Sequence, residues 1–150
     1  MAIAPNTTFV SGAILTAAQM NALPFGVQVY DTETTTSSSF TTAVTVGTGT
    51  MIAIANRLYR MTYFEPQLTG NVAGAALLKI LDGATQLQAT YTVIPAAGQE
   101  NNAIITVTTT LSAGAHTLNA TLVRGSAITL TATRSATQPA VFTVEDIGPA

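Results

Sequence analysis

The feature that most constrains the fold of this chain is a two-residue alternation of apolar side chains with threonines, present from about residue 40 onward. In one clear run, Leu118, Ala120 and Leu122 alternate with polar residues, and several other runs repeat this pattern. Successive side chains of a strand point to opposite faces, so the alternation is typical of antiparallel sheets with one buried face. The chain is therefore predicted to be all-β.

Turn residues separate these runs at intervals of about 8–12 residues, a spacing that is typical of sandwiches and barrels. The predicted strands lie near residues 40–47, 57–68, 75–82, 85–94, 102–111, 115–124, 127–134 and 139–147. Eight antiparallel strands in two sheets is the number found in a jelly roll. We therefore predict an eight-stranded antiparallel jelly-roll sandwich, although the alternation does not reveal the order of its strands.

Two further predictions concern the interior of this sandwich. The run from Ala76 to the terminal Asp82 is apolar on both faces with Lys79 as the interior exception, which indicates a central strand. The large aromatic side chains on the apolar faces are expected in the core. They are Tyr59, Tyr63, Tyr91 and Phe142.

The segment before the sandwich is predicted to be a short arm that carries one helix. We place the arm and a threonine- and serine-rich linker in residues 1–39, and the sandwich in residues 40–150. The threonine- and serine-rich stretch itself, Thr32–Thr42, is either a linker or an exposed strand. The helix is predicted over Leu15–Leu23, where Thr16 can cap the first turn and Pro24 prevents continuation. Two helical turns are too short to be stable alone in water, so this helix must pack on something.

The arm helix can pack either on its own domain or on a partner protein. Apolar side chains on and beside it would supply the contact surface. The candidate partner-binding residues are Phe9, Leu15, Met20, Leu23 and Phe25.

The chain is unusually poor in charge, since charged residues make up 8% of it against about 25% in typical soluble domains. Exposed charge normally prevents self-association, so much of this surface is expected to face sister subunits or a larger particle. A neutral, threonine-coated monomer is the alternative. The five basic residues are scattered, which argues against nucleic-acid binding, and no apolar run reaches the roughly 18 residues of a membrane span.

The sequence offers no arrangement of residues that is typical of catalysis or of a cofactor or metal site. There is no cysteine, and the single histidine, His116, is expected to be a surface or turn residue at the start of a strand. Gly47-Thr48-Gly49 looks like a glycine-rich turn, but no helix follows to direct backbone amides at a phosphate. We therefore expect no catalytic residue and no enzymatic activity.

The acidic residues also give little sign of a site. Glu145 and Asp146 are adjacent in a predicted strand, so their side chains should point to opposite faces. Asp31 and Glu33 could share a face and bind a hard cation, but a solvated polar stretch is the simpler interpretation. A glycan site remains the main functional alternative, although there is no tryptophan and only Tyr30 is an obviously spare aromatic residue.

Two parts of the chain resemble known proteins. Residues Thr8–Gly12 and Leu15–Leu23 resemble the start of many tailed-bacteriophage virion proteins, including tail-fibre and minor tail proteins. The segment from Arg57–Thr62 to Val144–Pro149 resembles the tumour necrosis factor-like jelly rolls of phage structural proteins. This resemblance implies a homotrimer, since such jelly rolls usually associate around a threefold axis.

The resemblance implies one of two virion locations. Fibres commonly have a shaft between anchor and knob, and only the threonine- and serine-rich stretch stands there in this chain. A capsid decoration (cement) protein on the outer surface of the head fits better, as a trimer that bridges and stabilises phage major capsid proteins through its N-terminal arms. The alternative is a tail-fibre or tail-tip knob that binds a host-surface glycan or protein. A third alternative, an enzyme such as a polysaccharide depolymerase, is disfavoured because this sequence lacks the arrangement of carboxylates that such chemistry needs.

Overall fold

The computed structural model describes Ile14, Ala17, Met20 and residues 23–150. The predicted helix and the candidate residues Phe9 and Leu15 thus lie largely outside the described residues. The named strands are β1 (Gly26–Glu33), β2 (Val44–Ala53), β3 (Arg57–Gly70), β4 (Gly74–Asp82), β5 (Thr85–Ile94), β6 (Asn101–Thr110), β7 (Gly114–Arg124), β8 (Leu130–Ala132) and β9 (Ala140–Pro149). Within the described residues, no helix is long and apolar enough to cross a membrane.

The strands form two antiparallel sheets packed as a sandwich. One sheet has the order β1-β9-β3-β6, with β8 pairing to β3, and the other has the order β2-β7-β4-β5. The pairs β1–β9, β2–β7, β3–β6 and β4–β5 are nested in sequence, which is the pairing of one long hairpin rolled into a sandwich. The jelly-roll prediction is confirmed, and β4 is a central strand, as predicted.

The core contains most of the aromatic side chains that were expected there. Tyr59, Tyr63 and Phe142 are buried, but the prediction for Tyr91 is wrong, since it is 64% exposed. Tyr91 lies opposite Leu77 of β4. Because the sequence neighbours of Leu77, Ala76 and Leu78, are buried, the side chains of Leu77 and Tyr91 share the outer face. Alternation identifies the two faces of a strand but not which face is inside, and an edge strand such as β5 can carry apolar residues outward.

The first part of the sandwich differs from the prediction. β1 is an additional strand, paired with β9, inside the segment that we assigned to the arm and linker. The predicted strand near 40–47 lies instead at Val44–Ala53, so Gly47-Thr48-Gly49 belongs to a strand and not to a turn. A Cβ atom at Gly49 would stand 2.2 Å from Cγ1 of Val29, so this glycine permits β1 and β2 to approach closely.

The threonine- and serine-rich stretch is attached to the sandwich along β8. The amide of Ser37 donates to the carbonyl of Ala132 at 2.9 Å, and Phe40 and Leu130 exchange backbone hydrogen bonds. The side chain of Phe40 is buried in the core. This stretch therefore extends the β-structure beyond β8 and is not a free linker.

Candidate functional sites

The first candidate site lies at the start of β3, where the chain enters the sandwich from the arm. We call Leu23, Phe25, Arg57 and Asp146 the arm root. Arg57 and Asp146 are 4% and 2% exposed. The Arg57 guanidinium donates from Nε to Asp146 Oδ2 at 2.5 Å, from Nη2 to Asp146 Oδ1 at 2.6 Å, and from Nη2 to the Leu23 carbonyl at 2.6 Å. One buried arginine thus joins β3, β9 and the end of the arm.

The Phe25 ring completes the arm root. Its centroid lies 3.9 Å from the Arg57 guanidinium carbon, a cation–π contact that adds to the ion pair. Asp146 also accepts from the Gly148 amide at 3.0 Å. A buried carboxylate is tolerated only when it is paired and hydrogen-bonded, and these contacts meet that condition. The prediction that Glu145 and Asp146 diverge is confirmed, because Glu145 is partly exposed and pairs with Arg60 instead.

A depression with both apolar and polar lining residues adjoins the arm root. It has a volume of about 290 Å³, and its lining includes Phe25, Ile54, Asn56 and Pro149. Phe25 and Ile54 are about half exposed, and so is Met20. Of the five predicted partner-binding residues, Leu23 and Phe25 are therefore placed together at Arg57, while Met20 is exposed. Arg57 itself was not predicted as a site residue.

The second candidate site lies near the other end of β3, where its pairing is interrupted. The β3–β6 register shifts between Glu65 and Leu68. On the other side of β3, pairing with β9 ends at Phe64 and pairing with β8 begins at Leu68. Pro66 lacks a backbone N–H and cannot donate to either neighbour, which is the physical reason for a bulge here. Both hydrogen-bond ladders therefore open at the same place.

This opening forms a polar cleft of about 380 Å³, which we call the fork cleft. Its lining residues are Pro66, Gln67, Glu100, Asn101, Asn102 and Gln138. The Asn101 side-chain amide donates to the Val93 carbonyl at 2.8 Å. The side chains of Gln67, Glu100, Asn102 and Gln138 have no hydrogen-bond partner among the described residues. Four polar side chains are thus available for a ligand.

A buried ionic cluster supports the fork cleft from inside the sandwich. Glu65 is fully buried, and Arg134 donates to it from Nη2 at 2.5 Å and from Nε at 3.0 Å. The Tyr63 hydroxyl donates to the same carboxylate, and burial together with that negative charge raises the pKa of Tyr63. The Thr133 amide donates to the Gln67 carbonyl at 2.9 Å. These contacts hold the bulge in one conformation.

Ser112, His116 and Asp82 form a third cluster, which sequence analysis missed. His116 Nδ1 lies 2.7 Å from Asp82 Oδ2, and Nε2 lies 3.4 Å from Ser112 Oγ and 2.9 Å from the Ser112 carbonyl oxygen. A carbonyl only accepts hydrogen bonds, so Nε2 must carry the hydrogen and cannot take a proton from the serine. This geometry stabilises the turn before β7 and does not activate Ser112.

Of the two predicted positions for His116, surface or turn, the structure favours the turn, because His116 lies near the start of β7 and contacts Ser112. Its side chain is 9% exposed. The hydrogen bond to the Ser112 carbonyl raises the pKa of His116, and the Asp82 carboxylate adds to this effect. Both contacts stabilise the imidazolium, which donates from both nitrogens, relative to the neutral ring.

Asp31 and Glu33, the candidate cation ligands, each accept a backbone hydrogen bond. Asp31 Oδ2 accepts from the Thr48 amide at 2.9 Å, and Glu33 Oε1 accepts from the Thr35 amide at 2.7 Å. The latter bond lowers the pKa of Glu33. Among the residues that the structure describes, no group of three or more His, Asp or Glu is placed to hold a metal ion.

The sequence contains only weak indications of the arm root and the fork cleft. Pro66 inside the predicted strand 57–68 could have indicated a bulge, because proline in a strand is confined to edges and irregularities. The pairing of Arg57 with Asp146, 89 residues apart, has no local signal. The same is true of Glu65 and Arg134, which are separated by 69 residues.

Comparisons with known proteins provide only a distant likeness. No family model and no curated protein matches the chain. Among solved structures, a chain of infectious bursal disease virus strain Gx is similar, with 16% identity and a TM-score of 0.34 over 85% of this chain and 41% of that one. A chain of strain Gt has 15% identity and a TM-score of 0.28, with 85% and 42% covered. This chain thus spans less than half the length of those chains.

Proposed function

We propose that this protein is a virion structural protein, and more specifically a trimeric phage capsid decoration protein that binds and stabilises major capsid proteins through its N-terminal arm. The arm root is the observation that carries this proposal. Arg57, held by buried Asp146, binds the Leu23 carbonyl and the Phe25 ring, so the residues that join the arm to β1 are held against the sandwich. Ordering of these joining residues before binding reduces the entropy that is lost when a partner binds beside them.

The surface beside the arm root supports binding to protein. Met20, Phe25 and Ile54 expose apolar area, and Phe25 and Ile54 line one depression. Burial of apolar surface contributes about 25 cal/mol per Å², and aromatic residues are frequent anchors of protein interfaces. We infer that a capsid subunit covers this surface in the virion.

The trimer is proposed to form through the outer face of the β1-β9-β3-β6 sheet. Tyr30 and Ile104 are exposed there, and Phe64 of β3 lies directly beside Ile104. The charges of Arg60 and Glu145 on this face neutralise each other. The outer face of the other sheet instead carries Lys79, which has no ion-pair partner among the described residues. Burying an unpaired charge is costly, so the first face suits a subunit interface better.

The trimer is tested by light scattering on the full chain and on two matched variants. Ile104→Lys places a charge in the proposed interface, whereas Ile52→Lys places the same charge on the exposed outer face of the other sheet. We expect a wild-type trimer that the first variant dissociates and the second does not. A wild type that is monomeric at micromolar concentration would contradict the proposal.

The decoration role is tested by binding to purified phage heads that lack this protein. A deletion of residues 1–22 removes the arm but keeps Leu23 and Phe25, whose contacts with Arg57 support the domain. We expect this variant to remain folded and trimeric, to lose head binding, and to leave heads less resistant to heat. Decoration by the truncated protein would show that the arm is not the anchor.

The fork cleft favours a second candidate function, a tail-fibre or tail-tip knob that binds a host-surface glycan. Its free polar side chains suit a polar ligand better than they suit a capsid subunit. Antibody labelling of intact virions, viewed by electron microscopy, separates the two candidates. Label over the head supports decoration, and label confined to the tail end supports the knob.

A further inference from the structure

We propose that the fork cleft is a binding site for a neutral carbohydrate. This inference deepens the second candidate function, on which it rests, by assigning it a site and a ligand class. The cleft volume of about 380 Å³ lies within the range of roughly 300–1,000 Å³ for small-molecule sites. Such sites are usually lined by apolar groups, whereas this cleft is lined by carboxamides and a carboxylate, so its ligand should be polar.

The donors and acceptors of the cleft match hydroxyl groups. A carboxamide, as in Gln67, Asn102 and Gln138, presents both an acceptor oxygen and a donor NH₂ group. A sugar hydroxyl also donates and accepts, so one carboxamide can satisfy it in either role. The Glu100 carboxylate only accepts hydrogen bonds, so it can bind a sugar hydroxyl that donates one.

The charge of the cleft disfavours anionic ligands and metal ions. No basic residue is among its lining residues, and Glu100 would repel phosphates, sulfates and acidic sugars. A divalent cation would need several oxygen ligands with negative charge, and Glu100 is the only carboxylate in the lining. A neutral polyhydroxylated ligand fits this lining, and a sugar of a cell-surface glycan has this chemistry.

The cleft is held in shape before any ligand binds. The Glu65 carboxylate, next to Pro66, is held by the buried Arg134, and the Gln67 carbonyl is held by the Thr133 amide. The bulge is therefore fixed from inside while its outer side chains remain free. Rigid placement of polar groups lowers the entropic cost of binding, which matters for weakly bound ligands such as sugars.

The experiment applies the full-length protein to a glycan array that displays neutral hexose, N-acetylhexosamine and sialylated oligosaccharides. We expect binding to neutral glycans, measured again in solution with the strongest array ligand. The double variant Gln67→Ala/Asn102→Ala should bind that glycan at least about 10-fold more weakly, since each substitution removes hydrogen bonds from the site. The control variant Gln86→Ala/Gln88→Ala removes two exposed carboxamides of β5 outside the cleft and should bind normally.

Several results would overturn this site. The first is an absence of neutral-glycan binding by the wild type, and the second is a preference for sialylated glycans. The third is equal glycan binding by the cleft variant and the wild type. Equal melting temperatures of both double variants establish that folding is intact. Antibody labelling of virions tests the knob function separately, because glycan binding on the array depends on the cleft and not on where the protein lies in the virion.

Discussion

The two ends of β3 both contain a buried ion pair but present different surfaces. Each end buries an arginine paired with a carboxylate, Arg57 with Asp146 at one end and Arg134 with Glu65 near the other. Arg57 and Pro66 are nine positions apart, which is roughly 30 Å in an extended strand. At the first end Arg57 binds the arm root and adjoins a depression lined partly by Phe25 and Ile54, while near the second end Arg134 supports a cleft lined mainly by carboxamides.

This difference shows what each buried ion pair can contribute to function. A buried pair gives little net stability, since desolvation offsets most of the attraction. Here each pair instead holds a neighbouring segment of the chain in place. The arm root fixes a segment of chain with aromatic and aliphatic side chains, which suits a protein partner, and the fork fixes a bulge with free polar side chains, which suits a small polar ligand.

The largest expected effect comes from breaking the ion pair at the fork. Glu65→Ala leaves Arg134 buried without its partner, so we expect the free energy of unfolding to fall by about 3–5 kcal/mol in urea titrations. The double variant Glu65→Leu/Arg134→Met, which removes both charges, should recover most of this loss. If the double variant were as unstable as the single one, lost packing and not an unpaired charge would be the cause.

A somewhat smaller effect is expected at the arm root. Arg57→Ala leaves Asp146 with the Gly148 amide as a remaining donor, so we expect a loss of about 3 kcal/mol. The variant should also release Leu23 and Phe25, and limited proteolysis should then cut the chain before β1 faster than in the wild type. An unchanged cleavage rate would show that Arg57 does not hold the arm.

An exposed ion pair on the same two strands provides the matched reference. Arg60 and Glu145 join β3 to β9 as Arg57 and Asp146 do, but the Arg60 side chain is 50% exposed. We expect Arg60→Ala to change the free energy of unfolding by only about 0–1 kcal/mol, because water screens the pair and replaces its hydrogen bonds. A loss equal to that of Arg57→Ala would mean that burial does not distinguish the two pairs.

The smallest expected effect concerns pH and the pair between His116 and Asp82, which belongs to neither end of β3. The folded state raises the pKa of His116 above its ordinary value near 6.5. Its contribution to stability is therefore complete below about pH 6.5 and is lost as pH rises through the folded-state pKa. The stability difference between the wild type and His116→Gln should shrink over that range, and a difference that grows with pH would contradict the assignment.

Some predictions failed where local pattern and tertiary position disagree. The alternation of β5 placed Leu87 and Tyr91 on one face, but the register shift at Leu87 separates them, so Leu87 packs against the core and Tyr91 lies on the outer face. Gly47 and Gly49 indicated a turn by composition, whereas they lie in β2, where Val29 and Phe142 approach too closely for side chains. In both cases the deciding contact comes from residues distant in sequence.

The sequence alone determined the all-β sandwich, most strand positions, the central place of β4 and the divergence of Glu145 from Asp146. These features follow from the two-residue period and from turn residues, which act over a few neighbouring positions. Only the tertiary structure decided the nested strand order, the addition of β1, and both candidate sites. The arm root and the fork depend on ion pairs between residues 89 and 69 positions apart, and no local periodicity specifies such a pairing.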